Sequence, residues 1–206
     1  MKKHIVFDFD DTLCDSYSYS FLCYKNTIQE FNHSTSDKEI LDLFNSSQGL
    51  TIDDTYGKAI ARFNLDTSLQ TLIRHDQKLM QESLEKLHVF DFVPQMLQAL
   101  TQKGDTLHIC TNRYRSTLIP ILKHNNIFNM FETIISCKDE GYPKPNPKSL
   151  LDIIRKYGNN KSNFIYFGDS EVDAKFAKRA GIDFVIIDQY LNQKNFFKNV
   201  VNLLTS

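Results

Sequence analysis

A single strand that stands apart from every other strand constrains the fold of this chain most strongly. Residues 4–10 form an apolar run, rich in β-branched and aromatic side chains, that ends in carboxylates and is typical of a buried strand. One strand cannot bury both of its faces alone. Residues 16–87 offer it no partner, because their apolar side chains recur at helical spacing and the segment contains no proline. The first strand must therefore join a sheet that forms later in the chain.

Strands and helices alternate after Pro94. The pattern predicts strands over residues 106–111, 133–136, 164–167 and 184–187. Helices are predicted over residues 116–124, 148–157, 172–180 and 195–204. Gly158 and Gly181 are placed to end two of these helices. Because such alternation favours parallel strands joined by crossover helices, we predict an α/β protein whose parallel sheet is interrupted, after its first strand, by an all-helical module.

Three features define the helical module. Patterns that resemble capping boxes begin at Ser36 and Thr51, so each is predicted to start a helix. Apolar residues at helical spacing between residues 69 and 87 predict a further long helix. An apolar stripe in the first helix is interpreted as packing in the core of the module rather than as a substrate site. The stripe consists of Tyr17, Phe21, Tyr24, Ile28 and Phe31.

Composition and charge exclude several classes of partner. The 24 Lys and Arg residues nearly balance the 25 Asp and Glu residues, so the chain has no excess of positive charge that would attract a nucleic acid or an anionic membrane. No apolar run approaches the ~20 residues of a membrane helix, and acidic residues from Asp8 onward interrupt any signal peptide. The four cysteines have neither Cys-x-x-Cys nor zinc-site spacing. We therefore predict a soluble cytoplasmic protein with reduced thiols and no nucleic-acid or membrane partner; the oligomeric state is not predicted.

Polar side chains gather at the carboxyl ends of the predicted strands. Asp8 and Asp10 end the first strand, Thr111 ends the second, and Asp169 follows the fourth. Ligands of open parallel sheets bind at that edge. Asp8 and Asp10 face the same side of an extended backbone, and paired carboxylates favour a shared proton or a cation between them. Asp169 and Asp173 are four residues apart where a helix begins, so they also share a face.

Four segments, in order along the chain, resemble the motifs of the haloacid dehalogenase-like (HAD) hydrolase superfamily. The third is typical of the branch that resembles phosphoglycolate phosphatase, and the inserted module lies where that branch carries a helical cap. The segments are Asp8-Phe-Asp-Asp-Thr-Leu13, His108-Ile-Cys-Thr-Asn112, Tyr142-Pro-Lys-Pro-Asn-Pro147 and Gly168-Asp-Ser-Glu-Val-Asp173. The resemblance implies a Rossmann-like core formed by residues 1–14 and 93–206, with a helical cap over residues 15–92.

The resemblance and the residue chemistry together assign roles to the acidic residues. Asp8 is the candidate nucleophile that forms an aspartyl-phosphate, and Asp10 is the candidate general acid and base. Mg²⁺ is the expected cofactor, because ligand sets made only of oxygen favour it over zinc. Its expected ligands are Asp8, Asp169 and the backbone carbonyl of Asp10. Asp173 is expected to orient the metal ligands or Lys144 without contacting the substrate.

Three residues are expected to bind the substrate's phosphoryl group. Thr111 would do so through its hydroxyl and Lys144 through its charge, and Asn112 directly follows the second motif. Lys144 lies in a proline-rich loop, so its loss is predicted to reduce catalysis and to leave the fold intact. Asp11 departs from the family motif, and the role of Arg113 is left open. Many relatives have Gly where this chain has Asp11, and Arg113 is either a receptor for a second anionic group or a surface arginine.

The predicted function is a magnesium-dependent phosphatase that acts on a small phosphate monoester. The nearest alternative is a phosphomutase, which would share every motif and exclude water from the aspartyl-phosphate. A binding or regulatory protein without useful turnover is a third reading, and the intact motifs argue against it. Dehalogenation is disfavoured, because that chemistry needs no acid at the position of Asp10.

Overall fold

The isolated first strand lies at the centre of a parallel five-stranded sheet with the order β3-β2-β1-β4-β5. The computed structural model describes residues 2–47, 50, 52–82 and 84–187. Its strands are β1 (His4–Phe7), β2 (Thr106–Thr111), β3 (Thr133–Ser136), β4 (Phe164–Gly168) and β5 (Asp183–Ile186). His4 is level with Thr106 of β2 and with Phe164 of β4. The three strands therefore end together at one edge of the sheet.

One compact unit of the chain, Ser16–Lys86, contains only helices among its described residues. They are α1 (Ser16–Phe31), α2 (Asp37–Ser46), α3 (Ile52–Phe63), α4 (Leu69–Glu82) and a 3₁₀ turn (Leu84–Lys86). Ser36 caps α2 in the predicted capping box with Glu39. The stripe of α1 packs with Ile40, Phe44 and Leu72 in one apolar cluster, so its interpretation as core packing is confirmed. The long helix predicted up to residue 87 ends instead at Glu82.

The second compact unit consists of the residues up to Asp15 and those from Leu87 onward. Its helices are α5 (Val93–Gln102), α6 (Arg115–His124), α7 (Lys148–Lys156) and α8 (Glu171–Ala180), with 3₁₀ turns at Phe128–Met130 and Lys161–Asn163. Helices α7 and α8 bury Leu150, Ile153 and Phe176 against Val6 and Tyr166 of the sheet. Gly181 ends α8 in a left-handed conformation with φ 73°. All four cysteines are free and buried.

The α/β fold class is confirmed, and the differences from the predicted pattern are local. The bounds of β2 and β3 are as predicted, whereas α5 was not separately predicted. Thr51 and the helix predicted over residues 195–204 lie outside the described residues. None of the helices in the described ranges is both long and apolar enough to cross a membrane.

Candidate active site

The carboxyl ends of β1, β2 and β4 bring the predicted acidic residues to one edge of the sheet. Asp8 directly follows β1, and its backbone N–H donates to the carbonyl of Phe167 in β4 at 2.8 Å. Thr111 is the last residue of β2, and Asp169 follows the last residue of β4. Because β1 pairs with both β2 and β4, these ends are adjacent. The register of a parallel sheet therefore places residues more than 100 positions apart in sequence within one site.

Lys144 is the buried cation of this site. Its Nζ lies 2.7 Å from Asp8 Oδ1 and 2.6 Å from Asp173 Oδ1, and its side chain is only 4% exposed. Burial alone would lower the pKa of Lys144, but the two carboxylates raise it, so the lysine is held charged. The prediction that Lys144 is a loop lysine whose loss leaves the fold intact is wrong about its environment. The loop turns the side chain into the protein, where it neutralises the charges of two buried carboxylates.

Asp173 is fixed from two sides. Its Oδ1 accepts from Lys144, while Ser170 donates to its Oδ2 from both the backbone N–H and the hydroxyl, as part of the N-terminal capping box of α8. Gly168 lets α8 approach this closely, since a Cβ at that position would lie 2.6 Å from the Asp173 Cβ. Asp173 therefore joins the start of α8 to Lys144, and both of its oxygens have protein partners.

Two further side chains hold Lys144 in place. Asn112 Oδ1 accepts from the Lys144 backbone N–H at 2.8 Å, and Asn112 Nδ2 donates to the Lys144 carbonyl at 3.3 Å. Lys144 Nζ donates to the Tyr166 hydroxyl at 3.2 Å, and that hydroxyl also lies 2.8 Å from the Cys110 carbonyl. Sequence reasoning missed Tyr166, because a tyrosine in a buried strand carries no signal of a polar role. The amide of Asn112 faces the main chain of Lys144, and its predicted contact with substrate stays a prediction.

Asp8, Asp169 and Asp173 form an acidic cluster in which one oxygen of each lies within 4.8 Å of the others. Burial raises the pKa of Asp8 to about 7; Lys144 counteracts this effect, while Asp173 and Asp10 add to it. Burial also raises the pKa of Asp169 to about 6, with smaller contributions from Asp173 and Asp11. More carboxylates than cations are thus collected here. A set of oxygen ligands with surplus negative charge fits Mg²⁺.

Asp11 lies in the turn after β1, where its φ is 53°. This left-handed conformation favours Gly and is tolerated by Asp and Asn, so an aspartate fits this turn. The Asp11 carboxylate contributes to the raised pKa of Asp169. Asp11 therefore adds negative charge near the acidic cluster.

Arg113 is neither a solvated surface residue nor remote from the site. Its Nε lies 2.8 Å from Asp10 Oδ1 and 3.1 Å from Asp10 Oδ2, and its Nη2 also contacts Oδ1. Its backbone N–H donates to Thr111 Oγ1 at 3.1 Å. The guanidinium carbon lies 5.8 Å from the centroid of the Phe9 ring. The residue after Asn112 thus links the end of β2 to the acidic turn after β1.

Comparison with known proteins agrees with this architecture. The sequence profile of the haloacid dehalogenase-like hydrolases matches residues 5–187. Pyrophosphatase PpaX of Oceanobacillus iheyensis is 27% identical over 197 residues, which cover 96% of this chain and 88% of that protein. A phosphoglycolate phosphatase of Colwellia psychrerythraea is 30% identical over 192 residues, which cover 89% of this chain and 83% of the relative.

A solved structure shares the whole fold. The Thermotoga maritima protein provisionally described as a β-phosphoglucomutase superposes with a TM-score of 0.82 at 17% identity, covering 100% of this chain and 99% of its own. At that identity the likeness concerns the fold alone. The sequence profile, by contrast, extends over most of the chain and includes all four motif segments. The chain therefore belongs to the haloacid dehalogenase-like hydrolase family.

Proposed function

We propose that this hydrolase is a magnesium-dependent phosphatase that cleaves a small phosphate monoester through an aspartyl-phosphate on Asp8. The observation that carries the proposal is the buried Asp8–Lys144–Asp173 ion cluster at the carboxyl edge of the sheet, with Asp169 beside it. A buried nucleophile next to a fixed cation, in a site with surplus carboxylates, suits the transfer of a dianionic phosphoryl group. The relative named phosphoglycolate phosphatase supports a small phosphate monoester, and the relative named pyrophosphatase, whose substrate is an anhydride, supports only phosphoryl transfer to water.

In the first step, a carboxylate oxygen of Asp8 attacks phosphorus. The new bond joins that oxygen to phosphorus, and the bond between phosphorus and the ester oxygen breaks. Asp10 gives its proton to the departing ester oxygen, which leaves as an alcohol. In the second step, water attacks the phosphorus of the aspartyl-phosphate while Asp10 takes a proton from the water. Inorganic phosphate leaves, and the Asp8 carboxylate and the Asp10 acid are restored.

Lys144 and Thr111 assist both steps by binding the oxygens of the phosphoryl group. The ammonium of Lys144 lies 2.7 Å from the nucleophile and is therefore next to any group bonded to Asp8. Charge that develops on the phosphoryl oxygens is stabilised most by donors already fixed in place. Asp173, Tyr166 and Asn112 provide that fixation for Lys144, so we assign them as positioning residues.

The acidic cluster fits a magnesium ion. Asp8, Asp169 and the backbone carbonyl of Asp10 would hold it, and Asp173 would remain with Lys144. When bound, Mg²⁺ supplies positive charge that reduces repulsion between the Asp8 carboxylate and the phosphate ester. The observation behind this assignment is the surplus of carboxylates over the buried lysine. Burial is the main cause of the raised pKa of Asp8 and Asp169, and neighbouring carboxylates add to it.

The helical unit is proposed to act as a cap, with the division of the chain near residues 15 and 92 expected from the sequence. Compact packing within Ser16–Lys86 supports an autonomous unit, since its apolar cluster is formed by its own helices. Closing such a unit over a phosphoryl site would exclude bulk water and select the alcohol part of the substrate. Amide hydrogen exchange with and without magnesium and a phosphate analogue tests this role, and identical exchange in residues 16–86 would contradict it.

Phosphate release from a panel of phosphate esters tests the proposal. We expect the wild-type protein to release phosphate from at least one small monoester with Mg²⁺ and to lose this activity in excess chelator. Asp8→Asn should be inactive with every ester. Undiminished turnover in chelator would refute the metal requirement. Isomerisation of a sugar phosphate without release of phosphate would identify a phosphomutase instead, and inactivity with every ester would favour a regulatory protein.

A further inference from the structure

We propose that Arg113 is a positioning residue for Asp10 rather than a receptor for a second anionic group of the substrate. The inference rests on the proposed function, in which Asp10 carries the proton in both steps. It deepens that function, because it links the orientation of the Asp10 carboxyl to Arg113, two residues after the end of β2. It also settles on one of the two roles that the sequence leaves open for this arginine.

The contact between the two side chains has the geometry of a positioning interaction. Arg113 Nε lies within 3.1 Å of both Asp10 oxygens, and Nη2 adds a second donor on Oδ1. A planar guanidinium with two donors fixes both the place and the plane of a carboxylate, which a single ammonium cannot do. The Asp10 side chain is about one-third exposed, and the guanidinium contacts both of its oxygens.

Arg113 is itself held by its surroundings. Its side chain is only 9% exposed, its backbone N–H is bound to Thr111 Oγ1, and its guanidinium lies over the Phe9 ring. Thr111 is the last residue of β2 and Phe9 lies in the turn after β1, and both side chains are buried. Asp10 is therefore oriented against a rigid frame. Nε and Nη2 of Arg113 are both directed at Asp10, which suits a positioning role.

The charge around Arg113 argues in the same direction. Asp8, Asp10 and Cys14 all contribute to the raised pKa of Arg113 against the opposing effect of burial, with Asp10 contributing most. The Asp10 carboxylate is thus the main charge partner of the guanidinium. The pair favours the ionised form of Asp10, which is the form that takes a proton from water in the second step.

Pre-steady-state kinetics separate the two roles. If Arg113 orients Asp10, its loss should slow the attack of water on the aspartyl-phosphate, because that step needs a base. Phosphorylation by 4-nitrophenyl phosphate should slow less, because its leaving group departs without a proton. We expect Arg113→Gln to release a burst of about one nitrophenolate per enzyme, followed by a steady-state rate about 10- to 100-fold below wild type, within the range of general acid–base assistance. Asp10→Asn should show the same pattern more strongly. Arg115→Gln, which removes an exposed arginine of the same segment, should match wild type.

Specific results would overturn the proposal. One contradicting result is an Arg113→Gln variant without a burst, in which phosphorylation and hydrolysis of the enzyme slow equally. Another is a variant that keeps its kcat but has a raised KM only for esters that carry a carboxylate or a second phosphate. Arg113→Lys should recover the steady-state rate only in part, and full recovery would contradict the two-donor geometry. These failures differ from failure of the proposed function, which appears as absence of phosphate release by the wild-type protein.

A second measurement does not depend on activity. Urea unfolding of Asp10→Asn, Arg113→Gln and the double variant forms a double-mutant cycle. If the pair is formed as described, the midpoint of the double variant should fall by less than the sum of the two single shifts. Additive shifts would show that the two side chains do not interact and would refute the positioning role.

Discussion

Two regions of the molecule bury a carboxylate whose pKa is raised, and they differ in what surrounds it. At the sheet edge, burial, Asp173 and Asp10 raise the pKa of Asp8 to about 7, and Lys144 opposes them. In the helical unit, Asp76 of α4 is 6% exposed, and burial raises its pKa to about 6, offset in part by Tyr56. No lysine or arginine within the described ranges forms an ion pair with Asp76.

The comparison shows that a raised pKa does not by itself mark an active site. At Asp8, several carboxylates and a lysine meet where strands end, and the surplus charge creates a demand for a cation. At Asp76, one carboxyl lies among tyrosines in a helical core, where the neutral form costs less than the charged form. The arrangement at Asp8 supports catalysis, whereas burial of Asp76 lowers the stability of the fold when that carboxyl is ionised.

Loss of the lysine should have the largest effect on the sheet-edge cluster. Lys144→Ala would leave Asp8 and Asp173 buried without their cation, and breaking a buried ion pair typically costs about 3–5 kcal/mol. Catalysis should fall below detection at the same time. Urea unfolding measures the stability change. The matched control is Lys148→Ala, which removes a half-exposed lysine paired with Asp152 and should cost less than about 1 kcal/mol. Equal stability of the two variants would contradict the ion-cluster description.

Magnesium should stabilise the protein by binding at the acidic cluster of the sheet edge. This stabilisation should not depend on Asp76 of the helical unit. Binding to the native state alone adds about 2.7 kcal/mol when the ion is present at 100 times its Kd. Thermal unfolding should therefore shift upward with added Mg²⁺ in the wild-type protein and in Asp76→Asn. The shift should disappear in Asp169→Asn, which removes a carboxylate of the acidic cluster. Retention of the full shift in Asp169→Asn would place the ion elsewhere.

Removing the charge in the helical unit should stabilise the protein. The pKa of Asp76 is higher in the folded chain, about 6 against an ordinary 3.8, so the folded state binds this proton more tightly. The associated stability is fully present below about pH 4 and is lost as the pH rises through about 6. Asp76→Asn should therefore gain on the order of 1–3 kcal/mol at pH 7 and nothing at pH 3.5, as measured by urea unfolding. The exposed Asp42→Asn serves as the control, and a stability loss in Asp76→Asn at pH 7 would contradict this account.

The smallest expected effect compares two capping boxes. Ser36 caps α2 with Glu39 at the surface, and Ser170 caps α8 with Asp173 inside the site. Replacing either serine by alanine should cost about 1 kcal/mol, because each hydroxyl accepts from a backbone N–H of the first turn and donates to the carboxylate of the same residue. Only Ser170→Ala should also lower kcat, since it releases one side of Asp173 and hence Lys144. Equal activity of the two variants would show that the cap of α8 does not position Lys144.

The sequence predicts the sheet and the acidic edge because both depend on local patterns. Alternating strands and helices fix the fold class, and the apolar runs of β2 and β3 end where polar residues begin. Asp8, Asp169 and Thr111 then meet, because parallel strands must end at a common edge.

Contacts that depend on side-chain packing could not be predicted in this way. Nothing in the proline-rich loop indicates that Lys144 is buried, since its partners Asp8 and Asp173 lie far away in sequence. The hydroxyl of Tyr166 points to Lys144 only because neighbouring strands and α8 enclose it. The partner of Arg113 is likewise decided by the turn after β1, whose backbone conformation places Asp10 within reach.

Trapping of the phosphorylated enzyme tests the central claim most directly. Asp10→Asn is mixed rapidly with 4-nitrophenyl phosphate and Mg²⁺, quenched in acid during the burst, and reduced with borohydride, which converts an aspartyl-phosphate to homoserine. Peptide mass spectrometry then locates the change. We expect about one nitrophenolate per enzyme and a homoserine at position 8, with neither signal in Asp8→Asn. A burst without modification at position 8, or modification of another residue, would contradict the role of Asp8 as the nucleophile.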